Sequence, residues 1–423
     1  MNVFNSLGSN YDLRFTLKAL FANNKPSHSS NLKSYLEKKY GGKTILVYKG
    51  REAIELALEI LNLPKDSVVA INGFTCYAVY KAVTNEGYDA EILDLPPSAD
   101  GSDLNFSAES FQKALKQNPN IKVVIIQNTL GYPCDIEKIA KVCRENNLVL
   151  IEDLAHCVGT RYLPANAKQK ALQAGENGKE AGTIGDFVIL SFSQDKIIDA
   201  VSGGALIIRN KKCQNHLNHL ASQGETLQGW QQTIDRLYPL FTFIIRKTYQ
   251  IEIGKLIHFI LNFLNLLSKP MNENFYEKFS LPNWYAGLAL ASFNNLDKNL
   301  EHRKKIASIY NSTLDDKITS KFIRENIKLS SNLRFPIFID NRKSLIDSLK
   351  NRGVYVSDIW YDDLDKSLPN CQITANTILN LPTHINVSEE DARRICEIIN
   401  RWIIFNKLPN NLSLRAKRSN PIE

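Results

Sequence analysis

Paired cysteines are missing from this 423-residue sequence. Its seven cysteines are odd in number and show neither paired nor CxxC spacing, which argues against a disulfide framework or a cysteine-ligated zinc site and for reduced thiols in a cytoplasmic protein. Histidine gives no metal signal either. His216 and His219 lie three apart on an expected helix without a nearby third ligand, so they read as surface residues and no metal is expected. Residues 1–14 lack a basic segment followed by an apolar one, and no secretion signal is expected. The uncharged apolar runs 237–245 and 256–267 are shorter than the roughly 18 residues of a membrane-spanning helix. Charge of one sign is scarce as well. The 52 Lys and Arg are spread among 44 Asp and Glu, so a net charge of +8 leaves nucleic acid a poor candidate partner. With 43% hydrophobic and 23% charged residues the chain reads as a globular protein of two or three domains. Only the tail from Asn410 onward, polar and basic without apolar period, is expected to be disordered.

What the sequence does carry is alternation. Residues before Ser30 show no pattern, and a helical one begins at 32–40. Apolar strands are then expected at 44–48, 67–71, 89–95, 122–127 and 148–151, with helical periods between them, as in the run Ala53, Ile54, Leu56, Ala57, Ile60 and Leu61. That rhythm predicts an α/β fold with a mostly parallel sheet flanked by helices, and ligands beyond the carboxyl ends of the strands. Residues 163–181 read as a polar surface insertion.

Several strand ends carry chemistry. Gly50-Arg51-Glu52 opens a helix after a strand, where unpaired first-turn amides suit a phosphate, although plain turns look the same. Glu152-Asp153 ends another strand and Leu154-Ala155-His156 is expected to open a helix. Asp153 can be an N-cap or the partner of a protonated pyridine nitrogen, and His156 a core residue or a second ring contact. Ser191-Phe192-Ser193-Gln194-Asp195-Lys196 follows the run 187–190 and precedes Gly203-Gly204, glycines that let backbone approach the lysine or simply turn the chain. A lysine just past a buried strand loses hydration, its pKa falls, and its amine can hold an aldehyde.

In order and spacing these pieces, with Phe74-Thr75, Leu130-Gly131-Tyr132-Pro133-Cys134-Asp135, Gly182-Thr183-Ile184-Gly185-Asp186 and Leu379-Asn380-Leu381-Pro382, resemble the DegT/DnrJ/StrS-type sugar aminotransferases over about residues 30–402. The resemblance implies a type I pyridoxal-phosphate transferase fold. On that basis an N-terminal segment (1–30) precedes a large cofactor-binding domain (31–280) with an apolar helical insert at about 230–275. An interface helix and small α+β C-terminal domain (281–405) and a tail (406–423) follow. Lys196 would carry pyridoxal 5'-phosphate, Asp153 bind the pyridine nitrogen, His156 meet the phenolic-oxygen side, and Ser191 bind phosphate with the amides of Arg51 and Glu52. Lysine rather than the histidine of related dehydratases favours transamination, from an amino acid to a keto-sugar, by a homodimer. Other type I reactions (a lyase, a small amino-acid aminotransferase) and a membrane-associated scaffold without turnover are the rival readings.

Some positions depart from the family. Gly50-Arg51 stands where most members read Gly-Thr or Gly-Ser, exchanging a hydroxyl for a guanidinium able to grip phosphate. Cys76 stands where an aromatic residue usually stacks on the cofactor, so stacking falls to Tyr77. The asparagine expected near Lys278 is not evident. Within the insert, His258, Asn262, Asn265 and Lys269 form one polar stripe on an otherwise apolar helix. The two runs are read either as a helix pair packed on the body or across a dimer interface, or as an interfacial helix lying on the inner membrane leaflet with Arg246, Lys247 and Lys255.

Overall fold

The alternation folds into a layered α/β unit. In the computed structural model, which describes residues 2–97, 104–163, 178–214, 225–269, 278–357 and 362–406, nine strands form the central sheet. Their order is Glu225–Thr226, Phe279–Ser280, Lys43–Val47, Gly204–Ile208, Phe187–Ser191, Val149–Asp153, Ile121–Gln127, Val68–Asn72 and Asp89–Leu93. From Phe187–Ser191 outward to Asp89–Leu93 every neighbour is parallel, while Gly204–Ile208 runs against both of its neighbours. Its central strands read as continuous Val, Ile and Leu because helices cover both faces. Gln127 pairs in register with Asp153, and Ile189 of the next strand with Asp153 in turn, so the carboxyl ends of three strands meet.

A smaller α+β unit follows the helices Asn283–Phe293 and Leu296–Thr313. Its two-stranded antiparallel sheet, Arg334–Phe338 with Ile378–Pro382, shares one apolar core with the helices Arg342–Lys350 and Glu389–Asn406. This is the architecture of the type I pyridoxal-phosphate enzymes.

Three features differ from expectation or lie outside it. After Asp153 the chain makes a turn over 155–159 instead of a helix. The unpatterned N-terminal residues are ordered: Val3–Phe4 pairs with Val354–Tyr355 of the small unit, and helix Leu13–Leu20, capped by the Asp12 carboxylate on Phe15 N, packs on the insert helix Gly229–Thr248. The insert holds two helices, Gly229–Thr248 and Ile253–Phe263, and of the polar stripe expected on the second only His258 and Asn262 lie on it, since Asn265 and Lys269 fall past its end. His216, His219, most of the 163–181 insertion and the tail beyond 406 lie outside the described residues.

Candidate active site

A cavity of about 710 Å³ opens at the meeting of the strand ends. At one end helix Gly50–Leu61 begins directly behind its strand, with Lys49 extended in the cap position. Two glycines allow the packing there. A Cβ on Gly50 would stand 2.9 Å from Ser191 Cβ, and one on Gly204 would stand 2.9 Å from Gly50 Cα. Gly204 therefore serves the close approach of its strand to this turn, not an approach to the lysine. Gly50, Arg51 and Ser191 all line the cavity, beside the positive end of the helix. Lys49 lines it too, fully buried, with Nζ donating to Ser202 Oγ at 2.7 Å and lying 4.4 Å from the centre of the Tyr48 ring.

Asp153, His156 and Lys196 line the middle. Asp153 accepts from Gln127 Nε2 at 3.0 Å and from Ala155 N at 2.9 Å, and Gln127 accepts in turn from Thr75 Oγ1 at 2.6 Å. Burial raises the Asp153 pKa, against these donors and the charge of Lys196. Burial likewise lowers that of Lys196, with Cys76 and Asp153 pulling the other way. Leu130 N donates to His156 Nδ1 at 3.3 Å, which leaves the ring proton on Nε2; burial, then Lys196, holds this imidazole neutral.

Of the residues singled out from sequence, Gly50, Arg51, Cys76, Asp153, His156, Ser191 and Lys196 line one cavity. Glu52 and Tyr77 do not. The Glu52 amide donates to Lys49 O at 3.1 Å and its carboxyl faces Tyr48 N, while Tyr77 is 48% exposed and tilts against Tyr80. Cys76 takes the inward position instead. Sequence reasoning passed over Gln127, which ends an apolar strand, and Lys49, which caps the helix two residues past one, while His258 and Asn262 of the expected polar stripe were not assigned to the site and reach the cavity from the insert.

The model of the DegT/DnrJ/EryC1/StrS aminotransferase family matches residues 24–400. The chain belongs to that family. It is 22% identical over 378 residues to GDP-perosamine synthase of Caulobacter vibrioides (84% of each chain). It is 23% identical over 358 residues to UDP-4-amino-4,6-dideoxy-N-acetyl-beta-L-altrosamine transaminase of Campylobacter jejuni (81% of this chain, 80% of that one). Among solved structures it resembles DesI in the presence of its TDP-sugar product, with a TM-score of 0.68 at 17% identity covering 99% of this chain and 97% of that one. Helicobacter pylori PseC gives a TM-score of 0.67 at 16% identity, covering 94% and 97%.

Membership supports pyridoxal phosphate as the cofactor, and the residues present fit it. The buried carboxylate of Asp153 has room before it for a protonated ring nitrogen, Lys196 offers a desolvated amine, and the helix start with Ser191 and Arg51 offers donors to a phosphate.

Proposed function

We propose that this chain is a pyridoxal-phosphate-dependent aminotransferase that moves an amino group from an amino acid, glutamate, to the ketone of a nucleotide-linked sugar for surface polysaccharide or glycolipid synthesis. One observation carries this reading: a desolvated lysine and a buried carboxylate share one cavity at adjacent strand ends. The sugar class rests on the names of the relatives.

Bound there, pyridoxal phosphate supplies an electron sink for the carbon that loses its proton. Lys196 would hold the cofactor through its amine and, as a free amine, would carry the proton; its lowered pKa leaves more neutral amine for that task. Asp153, aligned by Gln127, keeps the ring nitrogen protonated. His156, neutral with its proton on Nε2, would face the oxygen side of the ring as a donor. Ser191, Arg51 and the Gly50 turn bind the phosphate, and Cys76 packs where an aromatic ring usually stacks. Work as a homodimer in the cytoplasm is part of the same proposal.

The test is the visible absorption of the purified protein with pyridoxal phosphate, before and after glutamate. Conversion of the aldehyde to the amine form of the cofactor is expected, and its loss in Lys196→Ala by roughly 10³-fold in rate. Conversion at the wild-type rate in that variant would refute the assignment.

A further inference from the structure

Most of the exposed apolar surface lies away from the catalytic sheet. Of sixteen exposed large hydrophobic side chains among the described residues, twelve fall within 13–21 and 230–264. These are the N-terminal helix and the two insert helices, and both Leu13–Leu20 and Ile253–Phe263 pack on Gly229–Thr248. Single exposed leucines need no explanation, but a concentration of this kind marks a contact surface. On Ile253–Phe263 the side chains of Leu256, Phe259, Ile260 and Phe263 recur at helical spacing, with Phe259 and Phe263 70% and 77% exposed. A different edge carries His258 and Asn262, hydrogen-bonded to each other at 3.0 Å and lining the cavity.

Charge selects the occupant. The exposed charged residues of 13–25 and 243–269 are Arg14, Lys18, Lys25, Lys247, Lys255 and Lys269 against one acid, Glu252, which Lys255 already pairs at 2.8 Å. Arg246 is not among them, since it turns inward to Leu7 O at 2.8 Å and Tyr11 O. A second copy docked by twofold symmetry would bring the same basic surface against itself. An anionic bilayer accepts both the apolar side chains and the amines. No helix of the described residues is long and apolar enough to cross a membrane, so this one would lie in the plane of the interface.

We propose that the Ile253–Phe263 helix docks this chain on an anionic lipid surface, with the surrounding lysines on the headgroups and the cavity mouth, edged by His258 and Asn262, held at that surface. The proposal does not depend on the reaction catalysed.

The experiment is flotation of the full chain, loaded with pyridoxal phosphate, on vesicles of phosphatidylcholine with phosphatidylglycerol and on phosphatidylcholine alone. Binding to the anionic vesicles at low salt is expected, reduced at least about tenfold in Phe259→Ser/Phe263→Ser and in Lys247→Glu/Lys255→Glu. All four side chains are exposed, so unchanged melting is expected; should the phenylalanine pair unfold, the lysine pair decides. No flotation of the wild type, or full flotation of the variants, overturns the proposal. So does a halved mass by light scattering for the phenylalanine pair, which would give the face to a second copy.

Discussion

The carboxyl of Glu52 lies behind the first turn of the Gly50–Leu61 helix, accepting from Tyr48 N at 3.1 Å and weakly from Phe279 N at 3.4 Å. Burial pushes its pKa up to about 8, against the opposing charge of Lys49 and these amides. A carboxyl whose folded pKa exceeds the unfolded value of about 4.3 stabilises the fold fully below that value and loses the contribution as pH rises through the folded pKa. Linkage makes the loss about 1.4 kcal/mol between pH 7 and 9. Glu52→Gln removes the titration. Urea unfolding at the two pH values should therefore show wild type losing about that much relative to the variant, and a constant difference would mean that the carboxylate is ionised throughout. At this scale the site was partly legible. Asp153, Ser191 and Lys196 each end or follow an apolar run, so the strand pattern alone put them at the ligand edge. The choice between Cys76 and Tyr77 was not legible, because the extended cap residue and the first helical residue point different ways, and only the start of the helix decides which points inward.

The N-terminal segment holds the loop 193–199, which carries Lys196, in place. Ser9 donates its amide and hydroxyl to Asp195 Oδ1 at 2.8 and 2.7 Å, and Tyr11 its hydroxyl to Asp199 Oδ1 at 2.8 Å. Asn10 donates to Lys196 O and to Asp199 Oδ2, both at 2.9 Å, and accepts from Arg303 at 3.1 Å. Asn10→Ala leaves a buried carboxylate and a guanidinium short of a partner each, at a cost on the order of 1–3 kcal/mol. A lower urea midpoint and faster loss of cofactor on dialysis are the expected results, and unchanged values would show that the loop stands without its strap. Nothing in the first thirty residues announces this, since Ser9, Asn10 and Tyr11 take partners about 190 positions away and follow no local period. The insert was legible as helical from its apolar runs. Its anchor was not: Asp235, buried, accepts from Tyr48 at 2.7 Å and Tyr285 at 2.8 Å, partners far away in sequence that no apolar period marks.

Every unit of the chain reaches the cavity: the sheet through Asp153 and Ser191, the N-terminal segment through Phe4, the insert through Tyr249, and the small unit through Tyr355. The last three join in one aromatic cluster, with ring centres 4.6 to 5.2 Å apart. The sheet and its core were readable from the alternation because strand and helix periods are local properties. This convergence was not, because it follows from how the units pack. Its consequence is that a ligand in the cavity touches all of them, and binding energy should appear as stability of the whole molecule. Pyridoxal phosphate at a free concentration of a hundred times its Kd adds about 2.7 kcal/mol if it binds only the folded chain. A rise of several degrees in a single melting transition is therefore expected for the wild type. On the proposed assignment Arg51→Ala should need more cofactor for the same rise, and Lys196→Ala, lacking the proposed covalent hold, more again. A melting curve indifferent to pyridoxal phosphate would remove this cofactor from the cavity, whatever the spectrum of other aldehydes; a rise confined to one of two separate transitions would show that the units do not close on it together.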